Sequence, residues 1–174
     1  MGQRIVAAVL LMVLAPVLAL ISLLVLAFDR GPVLFRQDRL GVARRPFSIY
    51  KFKTMVGGRP TRLGAVLRRT GADELLQLAN IAAGDMRFIG PRPLTEADVL
   101  RLEWDTPDHD TRWLVQPGIT GYAQLAPVCD RAVSWSLDDF YAQHRTRVLD
   151  LKITLASGAA LFLGKQRAKA WFWR

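Results

Sequence analysis

Residues 61–93 read TRLGAVLRRTGADELLQLANIAAGDMRFIGPRP. The stretch holds two adjacent carboxylates, Asp73 and Glu74, with the arginine pair Arg68 and Arg69 just before them and Arg92 clamped between prolines. Leu63, Val66 and Leu67 fall on one helical face, and Thr70 stands where it can cap a second helix carrying Asp73, Glu74, Leu75, Leu78 and Ile81. The acidic pair has two readings. In one, Thr70-x-x-Asp73 is a capping box, and acids in a first turn are favoured by the helix dipole in any case. In the other, the pair performs chemistry on a phosphate. One carboxylate acts as nucleophile or base, the second holds a divalent cation, and guanidinium groups neutralise phosphate oxygens. Arg68 and Arg69 favour the second reading, since they should keep Asp73 ionised and would welcome a phosphate at the helix start.

Downstream, the prolines of Gly90-Pro91-Arg92-Pro93 restrict the backbone, so Arg92 has little freedom to lose on binding. Residues 95–113 are polar and mixed in charge, a helix and loop. Residues 116–121, QPGITG, carry the Pro-Gly signal of a type II turn. Residues 136–160 are mostly helical, with Val148, Leu151 and Leu155 on one apolar face. The tail KQRAKAWFWR mixes cations with Trp171, Phe172 and Trp173, the composition of an interfacial anchor.

Upstream, residues 47–55 alternate as a half-buried strand, with Phe47, Ile49 and Phe52 inward and Lys51 and Lys53 outward. Val33, Leu34 and Phe35 form a second strand, joined to the first around Arg44-Arg45-Pro46. Residues 57–60, GGRP, are a loop unlike any phosphate-cradling glycine motif. Before these strands, residues 5–28 contain no charged residue and would make a helix of roughly 36 Å, long enough to cross a bilayer. The apolar run is too long for a cleaved signal peptide. Pro16, near its midpoint, removes a backbone donor and should bend the helix. Arg4 precedes the run, and Arg30, Arg36, Arg39, Arg44 and Arg45 come after it, so both flanks favour the cytoplasm. A re-entrant hairpin that bends at Pro16 and returns satisfies both flanks; a simple span satisfies one.

Composition bounds what else the chain can be. Its 174 residues carry a net charge of +9, and the excess lies in residues 1–72, where twelve Lys and Arg face only Asp29 and Asp38. The basic half is therefore the half next to the apolar run, which suits a face lying on anionic headgroups or a channel for an anionic substrate. Nucleic acid is the rival partner for such a charge. The chain has no helix-turn-helix, zinc-finger or RNA-binding signature, so no nucleic-acid partner is expected. A single cysteine, Cys129, excludes an internal disulfide and a cysteine-rich metal site. His109 and His144 lack a zinc-like partner set.

Five blocks carry a resemblance to a known family: DRGPVLFRQDRLG, FSIYKFKTM, LRRTGADELLQLANIAAGDMRFIGPRPL, PGITGYAQ and VLDLKI, in that order. They resemble the bacterial sugar transferases, small monotopic phosphoglycosyl transferases that start glycan assembly on a polyprenyl phosphate. The resemblance implies transfer of a sugar 1-phosphate from a nucleotide diphosphate sugar, expected to be a UDP-sugar, with release of the nucleoside monophosphate. It implies that Asp73 is the nucleophile, forming an acyl-phosphate intermediate, and that Glu74 helps bind Mg2+. Lys51, Arg68 and Arg92 match basic family positions near the phosphates, and Arg131 is expected to supply the arginine that comes after the GYAQ block. The family's membrane helix breaks at a proline, as Pro16 would break this one. Gly71, Ala72 and Leu76 depart from the serine, leucine and proline usual around the dyad.

The expected protein is α/β, mostly helical with a few short strands. Residues 1–29 form a re-entrant membrane-anchoring helix and residues 30–174 a catalytic domain on the cytoplasmic face of the bacterial inner membrane, in contact with the lipid bilayer. The alternative is a catalytically inert membrane-surface binding module of the same fold.

Overall fold

The computed structural model describes residues 1–29, 31–127, 130–163, 167, 169, 172 and 173; the expectations placed on Arg30, Cys129 and Trp171 lie outside them. The chain is mostly helical with short strands, and it divides into two compact units. The first comprises Met1–Asp38 and Ser48–Asp85, the second Arg39–Phe47 and Met86–Arg174.

The first unit begins with α1, Gly2–Asp29, helical through Pro16 without interruption. Among the described residues it is the one helix long and apolar enough to cross a membrane. Only Ala7, Ile21 and Val25 of it are buried, while Ile5, Met12, Val13, Leu20, Leu23 and Phe28 are exposed. A core helix of a soluble protein would bury far more of such a surface. The helix ends at Asp29, just ahead of Gly31-Pro32. The buried side of α1 meets a cluster of Ile21, Val25, Phe52 and Leu67, flanked by Leu63, Leu75 and Leu76.

Strands β1, Leu34–Leu40, and β2, Pro46–Phe52, pair with each other, and their tip carries left-handed residues Ala43 and Arg44. Ile49 and Phe52 are buried on β2 as expected, though three residues apart and so on opposite faces of the strand, while Phe47 is half-buried. Gly57-Gly58, expected as a loop, is the two-residue turn of a small antiparallel hairpin, β3 (Met55–Val56) with β4 (Arg59–Pro60). Helix α2 spans Arg62–Thr70, capped by the Thr61 hydroxyl, which accepts from the Gly64 amide at 2.8 Å. Leu63 and Leu67 face inward, but Val66 is exposed. Helix α3, Leu78–Ala83, completes the unit and packs along α1.

The second unit contains a parallel pair, β5 (Arg87–Ile89) with β6 (Gly118–Thr120). The turn expected at 116–121 is instead irregular chain leading into the strand Gly118–Thr120. Its glycine is there for proximity: a Cβ on Gly118 would lie 2.1 Å from the Gly90 amide nitrogen. Helix α4, Glu96–Leu102, starts with a complete capping box between Thr95 and Asp98. Helices α5, Arg131–His144, and α6, Arg147–Leu163, come next. The core comprises Ile89, Leu125, Tyr141, Ile153 and Ala156, with a second cluster of Val99, Trp104 and Trp113. Val148, Leu151 and Leu155, the apolar face read on α6, are exposed, because Ile153 and Ala156 define its buried stripe. The tail aromatics pack on protein: Phe172 meets Tyr122 edge-on, Trp173 lies tilted against it, and the Trp173 indole donates to the Leu125 carbonyl at 2.8 Å.

Candidate active site

Asp73 and Glu74 lie in a 3-10 turn, Ala72–Gln77, between α2 and α3. The turn exists because Gly71 adopts φ 74°, ψ 6°, closing α2 with its amide on the Leu67 carbonyl. That left-handed conformation is easy for glycine and strained for most residues, serine included. Thr70 is the last residue of α2, and its hydroxyl binds back to the carbonyls of Val66 and Leu67, each at 3.0 Å. It therefore closes α2; it also accepts a long bond from the Ala72 amide at 3.4 Å, but the N-cap position of the 3-10 turn is Gly71, which has no side chain to cap it. The capping-box reading of Asp73 is overturned.

The two neighbouring carboxylates meet opposite surroundings. Asp73 is buried, with 8% of its surface exposed. Its pKa is raised, first by burial and then by the adjacent Glu74 charge, against the lowering influence of Lys51, its own backbone and Arg68. The expectation that the arginines would dominate is corrected: desolvation outweighs them. Glu74 is half-buried, and its Oε1 accepts from Lys51 Nζ at 2.5 Å. Lys51 was expected on the wet face of its strand. Instead, its side chain is largely covered and committed to the dyad.

Arg68 lies on the exposed side of α2, its guanidinium donating to the Met55 sulfur at 3.1 Å, and its charge is felt at Asp73. Asp73, Glu74, Lys51 and Arg68 thus belong to one unit. Arg92 and Arg131 belong to the other. There, Arg92 sits in the Pro91–Pro93 turn, and exposed Arg131 at the start of α5 pairs with Glu103 at 2.5 Å.

Two supports of the dyad escaped the sequence reading. Asn80, fully buried on α3, docks its amide on the edge of β2. Nδ2 donates to the Ser48 carbonyl at 2.7 Å, and Oδ1 accepts from the Tyr50 amide at 3.3 Å. These bonds fix β2 against α3 one residue from Lys51. The signal is one of two polar residues, with Gln77, in the otherwise apolar LLQLANIAA. The second support is Asp29 at the end of α1, which accepts from the Thr61 hydroxyl, the cap of α2, at 2.9 Å.

As to metal, the described residues contain no cluster of three or more Asp, Glu, His or Cys. The hard oxygens of Asp73 and Glu74 fit magnesium in the way it is commonly held, by one or two carboxylates with substrate phosphates completing the shell. What the arrangement can do is therefore specific: a desolvated carboxylate for attack, a neighbour for a cation, and a lysine ready to exchange Glu74 for a phosphate oxygen.

The family model described as bacterial sugar transferase matches residues 1–164. The chain is 32% identical, over 94% of its length, to a UDP-N-acetylgalactosamine-undecaprenyl-phosphate N-acetylgalactosaminephosphotransferase of Aeromonas hydrophila. It is 40% identical, over 67% of its length, to an undecaprenyl-phosphate glucose phosphotransferase of Komagataeibacter xylinus. It spans only 43% and 25% of those two relatives. An exopolysaccharide production protein, PSS, of Rhizobium leguminosarum is 36% identical over 82% of this chain and 84% of its own length.

Proposed function

Because the chain belongs to the bacterial sugar transferase family, we propose that it is a phosphoglycosyl transferase. It takes a sugar 1-phosphate from a UDP-sugar to a polyprenyl phosphate, giving polyprenyl-diphosphate-sugar and UMP. The observation that carries this reading is the buried Asp73 carboxylate beside a lysine-paired Glu74. In the first half-reaction an Asp73 oxygen attacks the sugar-side phosphorus. A P–O bond forms to the carboxylate, the bond to the bridging oxygen breaks, and UMP leaves with that oxygen. In the second, an oxygen of the polyprenyl phosphate attacks the same phosphorus and displaces the carboxylate. Poor solvation makes the Asp73 carboxylate a stronger nucleophile, and dividing the transfer in two is the usual gain of covalent catalysis.

Magnesium, bound by Glu74 with substrate phosphates, would neutralise the charge on the transferred group. Lys51 moves from Glu74 to a phosphate oxygen as substrate enters, and Arg68 adds positive charge for the diphosphate; the family resemblance is the support for reading Arg92 and Arg131 as phosphate-binding residues as well. The donors named for the relatives are UDP-sugars and the acceptor undecaprenyl phosphate, which is the support for both partners here.

The enzyme is monotopic, on the cytoplasmic face of the inner membrane. Support comes from the two ends of α1, which are tied to the same compact unit. Arg4 Nε donates to the Ala82 carbonyl at 2.9 Å, and Asp29 receives the Thr61 hydroxyl. Both ends of α1 resting on one body is what a helix that enters and leaves the same leaflet requires, with Pro16 as the weak point at which it would bend. The uncovered apolar side chains of α1 are its lipid contact.

The test is to incubate the purified chain in lipid nanodiscs with undecaprenyl phosphate and a panel of nucleotide sugars, and to measure monophosphate. Release of UMP with one donor is the expected result. Donor binding without release of any monophosphate would instead mark an inert binding module.

A further inference from the structure

The Pro91–Pro93 turn is held to an unusual degree. Four consecutive carbonyls are each engaged: Pro91 by the Gly118 amide at 2.9 Å, Arg92 by Arg112 Nη2 at 3.0 Å, Pro93 by Arg39 Nη1 at 3.1 Å and Leu94 by the Leu40 amide at 2.8 Å. Two of those donors are side-chain guanidinium groups, each paired with a carboxylate, which for Arg39 is shared with Arg101. Arg39 pairs with Asp98 at 3.2 Å, and Arg112 with Asp138 at 2.9 Å.

The Arg112 pair is the telling one. Arg112 is only 3% exposed and Asp138 4%. The guanidinium lies 5.2 Å from the Trp104 ring centroid and 4.7 Å from that of Trp113, and its Nε is buried without a partner. A buried ion pair with an unmet donor is a poor way to stabilise a core, since apolar residues of similar volume usually do as well or better. What such a pair supplies is a rigid donor at a fixed point. Here that point is the carbonyl of the residue that presents Arg92.

We propose that Arg112, braced by Asp138, Trp104 and Trp113, is a positioning residue for Arg92. It fixes the backbone from which the Arg92 side chain reaches the donor's diphosphate, while Arg39 secures the next carbonyl. This rests on the reading of Arg92 as a phosphate-binding residue.

The experiment is a double-mutant cycle on the full chain in nanodiscs, with UDP-glucose and UDP-N-acetylgalactosamine as donors. Arg112→Met/Asp138→Leu replaces the buried pair by apolar groups and keeps the core filled. It should melt at or above the temperature of the natural chain. Its kcat/KM for the donor should fall roughly tenfold, chiefly through KM, the size of coupling expected between contacting residues. In an Arg92→Ala background the same change should cost less than about twofold. Should the apolar pair not fold, Arg112→Lys serves: it keeps the charge beside Asp138 but ends one bond short of the Arg92 carbonyl. Hydrogen exchange at the Arg92 amide should then quicken. An unchanged kcat/KM, or an equal loss in both backgrounds, overturns the proposal. So does unaltered exchange at Arg92. If Arg92→Ala leaves donor kinetics untouched, its phosphate role falls and the positioning role with it. The covalent chemistry of Asp73 is read separately, through the adduct on the protein, and survives that result.

Discussion

Lys51 Nζ lies 2.5 Å from Glu74 Oε1, while Asp73, the next residue back along the chain, is buried with a raised pKa. Adjacent carboxylates are thus given unlike environments, and environments that differ in this way separate an attacking group from a charge-holding one. A tight 3-10 turn, set by left-handed Gly71, is what divides them.

The first consequence concerns stability. The folded state raises the Asp73 pKa above its unfolded value, so the ionised group opposes folding at neutral pH, and the penalty fades as pH falls through the folded pKa. Asp73→Asn should therefore be inactive yet at least as stable as the natural chain at pH 7. A capping role would give the reverse, a loss of about 1 kcal/mol with activity kept. Thermal denaturation at pH 7 alongside UMP release separates the two.

The same shift governs the pH profile. Attack needs the ionised carboxylate, so turnover should decline on the acid side at a pH above the usual aspartate range. Glu74→Gln removes a charge that raises the Asp73 pKa and should move the residual profile to lower pH. Lys51→Met removes a charge that lowers it and should move the limb to higher pH. Movement of both variants in one direction would contradict the assignment.

Asn80→Ala leaves the Ser48 carbonyl and the Tyr50 amide without the side chain that meets them. Each buried polar group so stranded costs about 1–3 kcal/mol, so a stability loss of at least 1 kcal/mol is expected. Turnover of the folded fraction should fall as well, because β2 carries Lys51. A stability loss with unaltered turnover per folded molecule would confine Asn80 to a structural role.

Topology is tested by labelling. In a Cys129→Ser background, cysteines placed at Gly2 and at Val42 should both react only from the cytoplasmic side, since Arg4 and Asp29 anchor the two ends of α1 on one unit. Reaction of the Gly2 position from the periplasmic side would make α1 a span.

Much of this was legible in the sequence, for reasons that differ by element. The apolar run 5–28 and its end at Asp29 were plain because nothing charged interrupts it, and the alternation around Ile49 gave β2. Local rules failed where tertiary contacts decide. Thr70 reads as a cap but closes the preceding helix, since Gly71 takes the left-handed position first. Lys51 reads as a solvated face because its partner lies 23 residues away. Residues 95–113 said little, although Trp104, Arg112 and Trp113 form a buried cluster there; their meaning depends on Asp138, far along the chain. Val148, Leu151 and Leu155 form a shared apolar face that does not say which way it points, because α6 is apolar on more than one side and Ile153 and Ala156 take the core.

The proposed mechanism stands or falls on Asp73 becoming covalently attached to the sugar phosphate. It is tested most directly by the intact mass of the protein after incubation with donor and Mg2+ in the absence of polyprenyl phosphate. The natural chain should gain the mass of one sugar phosphate and release UMP in an amount stoichiometric with enzyme. Glu74→Gln should show a weaker adduct that grows with added Mg2+, and Asp73→Asn none. An adduct of undiminished abundance on the Asp73→Asn protein, or release of UMP only when acceptor is present, would contradict the account.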